Sequence, residues 1–167
     1  RAKGQRVADA LERVGGVRLE LPPVMGAECP ERYRNKVQFP VATAREGGIA
    51  AGYYRARSHQ VIPVEDCLLQ PETVTRLRRA FVRAAEELGL TAYDERTGTG
   101  LLRDLYVRTN HRGEALCCIV ANGTQLPGGA RLVEALRAAE PRLAGVVLNV
   151  NTQDTNVILG PGYRLLW

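Results

Sequence analysis

Apolar and cationic residues alternate along the stretch CPERYRNKVQFPV, and this pattern is typical of a β-strand with two different faces. The apolar positions are Tyr33, Val37, Phe39 and Val41, and the positions between them include Arg32, Arg34, Lys36 and Gln38. We therefore predict a strand over residues 32–43 with one apolar and one basic face. The turn AREGG and the stretch IAAGYYRARS predict a hairpin partner that carries Arg55 and Arg57 on one face.

The rest of the chain contains two kinds of periodic pattern. Helical spacing predicts helices in RAKGQRVADALERV, from Pro71 to Gly89, and over residues 129–139. Strand-like segments are HQVIPV, the hairpin LLRDLYVRTN–EALCCIVANG, AGVVLNVNT, TNVILG and YRLLW. This order predicts an α+β fold with a mainly antiparallel sheet or sheets and two to three helices covering one face.

Composition adds a mild electrostatic preference. The chain has 167 residues, of which 45% are hydrophobic, so a single domain with an ordinary core is expected. Lys and Arg number 23 against 18 Asp and Glu, and the resulting net charge of +5 suits a polyanionic partner without requiring one. Because no apolar run approaches the roughly 20 residues of a membrane span and no signal peptide is recognisable, we expect a cytoplasmic protein without a membrane partner.

The two ends of the sequence suggest a piece of a longer protein. The chain opens without Met inside a predicted helix and closes on the apolar run YRLLW. Apolar strands seldom end a natural chain unprotected, because an unpaired edge invites association. We therefore expect residues 1–167 to be one domain cut from a longer protein.

The cysteines and histidines do not indicate an autonomous active site. Cys29, Cys67, Cys117 and Cys118 form no CxxC pair, and buried free thiols are their expected state. Cys67 could pair with His59, but it directly follows two acidic residues, whereas an activated thiolate needs an electropositive setting. Phosphate-loop, Rossmann and G-x-S-x-G motifs do not occur, so we predict no catalytic residue in this sequence.

The segment NVNTQDTNVILG is a candidate recognition surface. Asn149 and Asn151 fall on one face of a predicted strand, and Asn156 follows the next turn. Their amides can hydrogen-bond nucleobases or backbone groups. Turn capping is the alternative, and for Asn156 it is at least as well supported.

Four segments together, in order and spacing, resemble the central domain of the S-adenosylmethionine-dependent RNA uridine-C5 methyltransferases, especially the ribosomal RNA branch. The segments are YRNKVQFPV, GYYRARSHQVIPVEDCLLQ, LRDLYVRTNHRGEALCCIVANG and LNVNTQDTNVILG. The resemblance implies that an N-terminal β-barrel RNA-binding domain and a C-terminal Rossmann-like methyltransferase domain lie outside this sequence. It also implies that the catalytic cysteine, the glutamate base and the S-adenosylmethionine pocket belong to that missing domain.

The same resemblance implies a metal role for one cysteine. Cys67 in VEDCLLQ matches the fourth ligand of a 4Fe-4S cluster that many members bind, while the three partner cysteines precede the region represented here. Cys67 should therefore be an orphaned ligand, and we expect no cofactor in this piece alone.

Two functions follow as hypotheses. The favoured one is a non-catalytic, cluster-supporting domain that recognises RNA, with ribosomal RNA as the expected partner. Its expected RNA-binding residues are Arg32, Arg34, Lys36, Arg55, Arg57, Asn149 and Asn151. Tyr33, Tyr53 or Tyr54 could stack on a base. The alternative is a scaffold that docks the methyltransferase domain and contributes little RNA affinity.

Overall fold

A computed structural model describes residues 2–155 and 157–167, and it divides the chain into two compact units. The first unit, Arg1–Pro30, contains helix α1 (Ala2–Arg13) followed by residues 17–30 without helix or strand. The predicted first helix is confirmed. Gly16, at φ 64°, takes the left-handed conformation that ends it.

The second unit, Glu31–Trp167, is an α+β fold built on one sheet. Its elements are β1 (Lys36–Thr43), β2 (Ile49–Tyr54), β3 (Val61–Pro63), α2 (Glu72–Glu87), β4 (Leu102–Thr109), β5 (Ala115–Ala121), α3 (Gly129–Ala139), β6 (Leu143–Val150) and β7 (Gly162–Leu165). The seven strands lie in the order β3-β2-β1-β4-β5-β6-β7. All neighbours are antiparallel except β5 and β6, which α3 connects as a parallel pair. The predicted fold class is confirmed.

One face of the sheet packs against α2 and α3 and forms the core. Buried residues at alternate strand positions, such as Phe39, Leu105 and Ile119, meet the apolar sides of the helices, which include Phe81 and Leu132. This is the two-layer arrangement that an amphipathic helix and a half-apolar sheet require. We call the opposite side of the sheet the outer face. None of the helices in the described residues is long and apolar enough to cross a membrane.

Pro40 marks a change of partner within β1. Residues 36–40 of β1 pair with β4, whereas residues 41–43 pair with β2. The ladder of β4 also shifts register between Leu102 and Asp104, beside the Pro40 pairing position. Proline lacks the N–H that a regular ladder uses, so it fits where the pairing is irregular.

Two predicted strand boundaries and one predicted strand were wrong. The first strand begins at Lys36 rather than at Arg32, and the second ends at Tyr54, before Arg55 and Arg57. Arg32 and Arg57 have φ values of 57° and 58°, which an extended strand cannot contain. The described part of TNVILG lies in a loop, and β7 starts only at Gly162.

Candidate nucleic-acid interface

The outer face carries two like charges side by side. Lys36 of β1 and Arg108 of β4 are direct cross-strand partners, and both side chains are exposed. Within the described residues neither of them forms a salt bridge, while the Lys36 ammonium lies 5.8 Å from the centre of the Tyr106 ring. Like charges directly opposite each other are unfavourable in a sheet unless an anion compensates them. We call Lys36 and Arg108 the basic strip.

Two of the four arginines on helix α2 are paired with acids, in contrast to the basic strip. Arg76 pairs with Glu140 and Glu72, and Arg79 pairs with Glu65. Arg76 therefore has its charge neutralised by acids of the same domain. This comparison favours the outer face over the α2 surface as the place where a polyanion binds.

Arg32 has a structural role that the sequence pattern did not reveal. Its guanidinium donates two hydrogen bonds to the Asp66 carboxylate, at 2.9 and 2.8 Å, and further hydrogen bonds to the carbonyl oxygens of Cys67 and Gln70. These bonds fix the loop before α2, and the Arg32 guanidinium holds the pKa of Asp66 well below its usual range. We therefore leave Arg32 out of the proposed RNA-binding set.

Arg34, Arg55 and Arg57 are exposed but do not share a strand with Lys36. Arg34 lies before β1, where its backbone N–H donates to the Leu69 carbonyl. Arg55 and Arg57 lie in the turn between β2 and β3, where the Arg55 N–H donates to the Gln60 carbonyl. All three side chains are thus exposed to solvent, but they do not lie on the strand face where they were predicted.

A concave pocket opens on the outer face beside that turn. It has a volume of about 600 Å³, within the range of roughly 300 to 1,000 Å³ typical of small-ligand sites. Three side-chain pairs line it: Tyr54 with His59, Tyr93 with Arg103, and Gln38 with Asp104. We call it the outer pocket.

The aromatic pairs form the walls of the outer pocket. The Tyr54 and His59 ring centres lie 5.4 Å apart, and the Tyr54 side chain remains 48% exposed. The Arg103 guanidinium lies 4.3 Å from the centre of the Tyr93 ring and also donates to the carbonyl oxygens of Asn151 and Gln153. Planar groups held in this way are suited to stacking on a planar ligand.

Asp104 is the chemically unusual group of the outer pocket. Its side chain is only 9% exposed, and burial raises its pKa to about 6. Gln38 Nε2 donates a 3.0 Å hydrogen bond to Asp104 Oδ1, while Asp104 Oδ2 makes no hydrogen bond in the described part of the chain. A buried carboxylate with one free oxygen in a cleft is a candidate for ligand binding.

Asn149 and Asn151 have a different role from the one predicted. Both are buried, and their amides bond to backbone groups of the loop between β6 and β7. Asn149 Nδ2 donates to the carbonyls of Gly160 and Gly162 and its Oδ1 accepts from the Gly160 N–H, while Asn151 Nδ2 donates to Val157 and Ile158. These bonds fold the loop back onto β6, where a Cβ at Gly160 would lie 2.0 Å from the Val150 carbonyl oxygen. Asn156 lies outside the described residues.

Sequence reasoning missed Asp104, Tyr106 and Arg108, although a signal was present. They occupy alternate positions of LRDLYVRT, on the same face as Lys36 and Gln38 of the neighbouring strand. Strand alternation alone could have grouped them, but only the register of β1 against β4 shows that Lys36 meets Arg108.

The cysteines do not form a metal centre among the described residues. No group of three or more His, Cys, Asp or Glu side chains in residues 2–155 and 157–167 could hold a metal ion. Burial raises the pKa of Cys117 to about 12 and that of Cys118 to about 11, so both thiols stay protonated at neutral pH. Cys67 is half-buried, and the described residues do not supply the other ligands that a 4Fe-4S cluster needs.

Comparison with known proteins finds relatives that are named RNA methyltransferases. No family model matches the chain. Proteins named uncharacterized RNA methyltransferase are 38% identical in Halalkalibacterium halodurans, 37% in Bacillus cereus and 36% in Clostridium tetani. These similarities span 99–100% of this chain but only 36–37% of each relative. The chain thus corresponds to about a third of those proteins.

A solved structure shares the fold. The tRNA (uracil-54, C5)-methyltransferase of Pyrococcus abyssi, in complex with S-adenosyl-L-homocysteine, superposes with a TM-score of 0.67 at 17% identity. The superposition covers 94% of this chain and 36% of that one. At this identity the match establishes the fold alone.

Proposed function

We propose that this chain is the RNA-binding part of an S-adenosylmethionine-dependent RNA uracil-C5 methyltransferase, with ribosomal RNA as its partner. The observation that carries the proposal is the basic strip, an uncompensated pair of cations on the sheet face opposite α2 and α3. Phosphates placed between Lys36 and Arg108 would remove their mutual repulsion and release counterions. Arg34, Arg55 and Arg57 extend the cationic surface around it.

We assign no step of the methyl-transfer reaction to the described residues. The thiols of Cys117 and Cys118 are buried and protonated, so neither is suited to attack a base. We propose that S-adenosylmethionine binding and methyl transfer use the parts of the relatives that this chain does not span. RNA held on the outer face would keep the flanking nucleotides in place while the target uridine is unstacked.

Reversing the basic strip tests the proposal. The double variant Lys36→Glu, Arg108→Glu should bind RNA about tenfold or more weakly than the wild-type chain, and its affinity should depend less steeply on salt. Fluorescence anisotropy with labelled ribosomal RNA fragments over a series of salt concentrations measures both quantities.

The matched control changes net charge by the same amount on the helical side. Arg83 of α2 and Arg131 of α3 are exposed, so Arg83→Glu, Arg131→Glu should keep the affinity within about twofold of wild type. Equal weakening by the two double variants would show that net charge alone governs binding, and it would reject the outer-face interface.

A second candidate function is a scaffold for the rest of the relatives' chain. It rests on the exposed apolar residues of the outer face, Leu116 of β5 with Tyr163 and Leu165 of β7. Leu165 is 74% exposed, as is typical of residues that contact a partner. A scaffold predicts that reversing the basic strip leaves the RNA affinity unchanged.

For the metal we propose only that Cys67 contributes one thiolate, with the remaining cluster ligands supplied from outside this chain. The support is its accessible position, since Cys67 is half-buried while Cys117 and Cys118 are buried. Bound iron measured in a full-length relative with the equivalent of Cys67→Ser tests this assignment, and unchanged iron content would reject it.

A further inference from the structure

We propose that the outer pocket binds one unstacked nucleobase that carries an exocyclic amino group. This inference rests on the proposed RNA-binding function and adds to it a base-reading site. The phosphates would stay on the cationic rim, and the base would enter between the Tyr54 and Tyr93 walls to meet Asp104 at the floor.

The distribution of charge supports a base rather than a phosphate in this pocket. Asp94, Glu95 and Asp104 line it together with Arg96 and Arg103, so acids outnumber arginines in the lining and disfavour an anion. Arg96 pairs with Asp94, and His59 bonds to Glu95 Oε2 at 2.8 Å, whereas the Asp104 carboxylate bonds only to the uncharged amide of Gln38 within the described residues. Cationic Arg55 and Arg57 lie in the turn between the lining residues Tyr54 and His59, outside the interior.

The free Asp104 oxygen determines which bases fit. A carboxylate oxygen accepts a hydrogen bond from the amino group of cytosine, whereas uracil presents a carbonyl oxygen at the same position. The two bases otherwise have nearly the same shape and stacking surface. Gln38 occupies the other Asp104 oxygen and so orients the free one. Cytosine should therefore bind and uracil should be repelled.

Short homopolymers of cytidylate and uridylate provide the test, with the wild-type chain and fluorescence anisotropy. We expect oligocytidylate to bind at least about fivefold more tightly than oligouridylate. In Asp104→Asn the side-chain oxygen keeps the Gln38 bond and the amide nitrogen takes the place of the free oxygen, so the preference should be lost or reversed. A wild-type chain that binds both polymers equally would overturn the inference while leaving RNA binding intact.

A charge-matched control separates base reading from simple electrostatics. Glu87→Gln removes one exposed acid from helix α2, on the opposite side of the sheet, and should keep the cytidylate preference. If Asp104→Asn retains the preference as Glu87→Gln does, Asp104 does not read the base and the inference falls.

The stacking wall is tested by a second variant that leaves Asp104 in place. Tyr54→Leu should weaken both polymers about fivefold to tenfold. Tyr163→Leu, an exposed tyrosine outside the pocket, should change affinity much less. Equal effects of the two variants would overturn the inference that the outer pocket binds a base. Failure of the wild-type chain to bind any RNA would reject both this inference and the proposed function.

Discussion

Replacing Asn149 by alanine is expected to lower the free energy of unfolding by about 3 to 5 kcal/mol. The side chain is fully buried and makes three hydrogen bonds of 2.8 to 3.1 Å to Gly160 and Gly162. Alanine would leave the buried carbonyl oxygen and N–H of Gly160 and the partly buried carbonyl oxygen of Gly162 without this partner, and each unsatisfied buried group costs about 1 to 3 kcal/mol. Such a loss is a large fraction of the stability of a domain of this size.

Urea denaturation followed by circular dichroism measures this effect. The control is Asn35→Ala, because Asn35 is exposed and its side chain makes no hydrogen bond in the described residues. We expect Asn35→Ala to stay within about 0.5 kcal/mol of wild type. A loss below about 1 kcal/mol in Asn149→Ala would contradict the view that this asparagine holds the loop between β6 and β7.

Asn151 provides a check on the mechanism. Its Nδ2 bonds to Val157 and Ile158 in the same loop that Asn149 ties at Gly160 and Gly162. Removing either asparagine should release part of one shared structure, so the double variant should lose less stability than the sum of the two single variants. Strict additivity would mean that the two side chains act on independent parts of the loop.

The same two asparagines show what the sequence can and cannot predict. Strand alternation correctly placed Asn149 on β6, whereas Asn151 follows the end of that strand, and the helix and strand order correctly predicted the fold class. Alternation does not show, however, whether a polar residue on a sheet face meets solvent or a returning loop. Whether these side chains are buried depends on the loop between β6 and β7, which folds back onto β6 at Gly160. Such a long-range contact has no local sequence pattern.

Arg32 illustrates a second limit. Its spacing continues the basic series of Lys36 and Arg34, yet its positive φ takes it out of the strand and its guanidinium binds Asp66, a residue 34 positions away. The outer pocket also depends on contacts between distant residues, because Gln38 and Asp104 meet through the pairing of two distant strands. The sequence therefore predicted the elements well and the combination of side chains at the candidate site poorly.

Replacing Asp104 by asparagine is expected to stabilise the chain at neutral pH by about 2 to 3 kcal/mol. Burial raises the pKa of Asp104 to about 6 from its ordinary value of 3.8, so the folded state disfavours the ionised carboxylate. Asparagine can keep the hydrogen bond from Gln38 and carries no charge. The gain should therefore come from removing a buried charge rather than from a new contact.

The dependence on pH has a definite sign. Between about pH 4 and pH 6 the folded chain holds a proton on Asp104 that the unfolded chain has released, so the Asp104 contribution to stability decreases as the pH rises through this window. The difference between Asp104→Asn and wild type should be small below pH 4 and fully developed above pH 6. Urea denaturation at a series of pH values measures it.

Asp66→Asn is the control with the opposite sign. The hydrogen bonds from Arg32 lower the pKa of Asp66, so the wild-type carboxylate stabilises the fold at neutral pH and this contribution decreases as the pH falls below its ordinary value. Asp66→Asn should thus destabilise the chain at neutral pH and approach wild type in acid. A pH-independent difference for Asp104→Asn would show that its carboxylate is not desolvated in the folded state.

A carboxylate that destabilises the fold at neutral pH supports a binding role for the outer pocket. Buried charges of this kind concentrate where a ligand compensates them. An amino group that donates to Asp104 Oδ2 would favour the ionised form and lower the pKa of Asp104. Oligocytidylate should therefore raise the melting temperature of the wild-type chain more than that of Asp104→Asn at neutral pH. Equal shifts for the two proteins would mean that Asp104 affects stability without recognising the base.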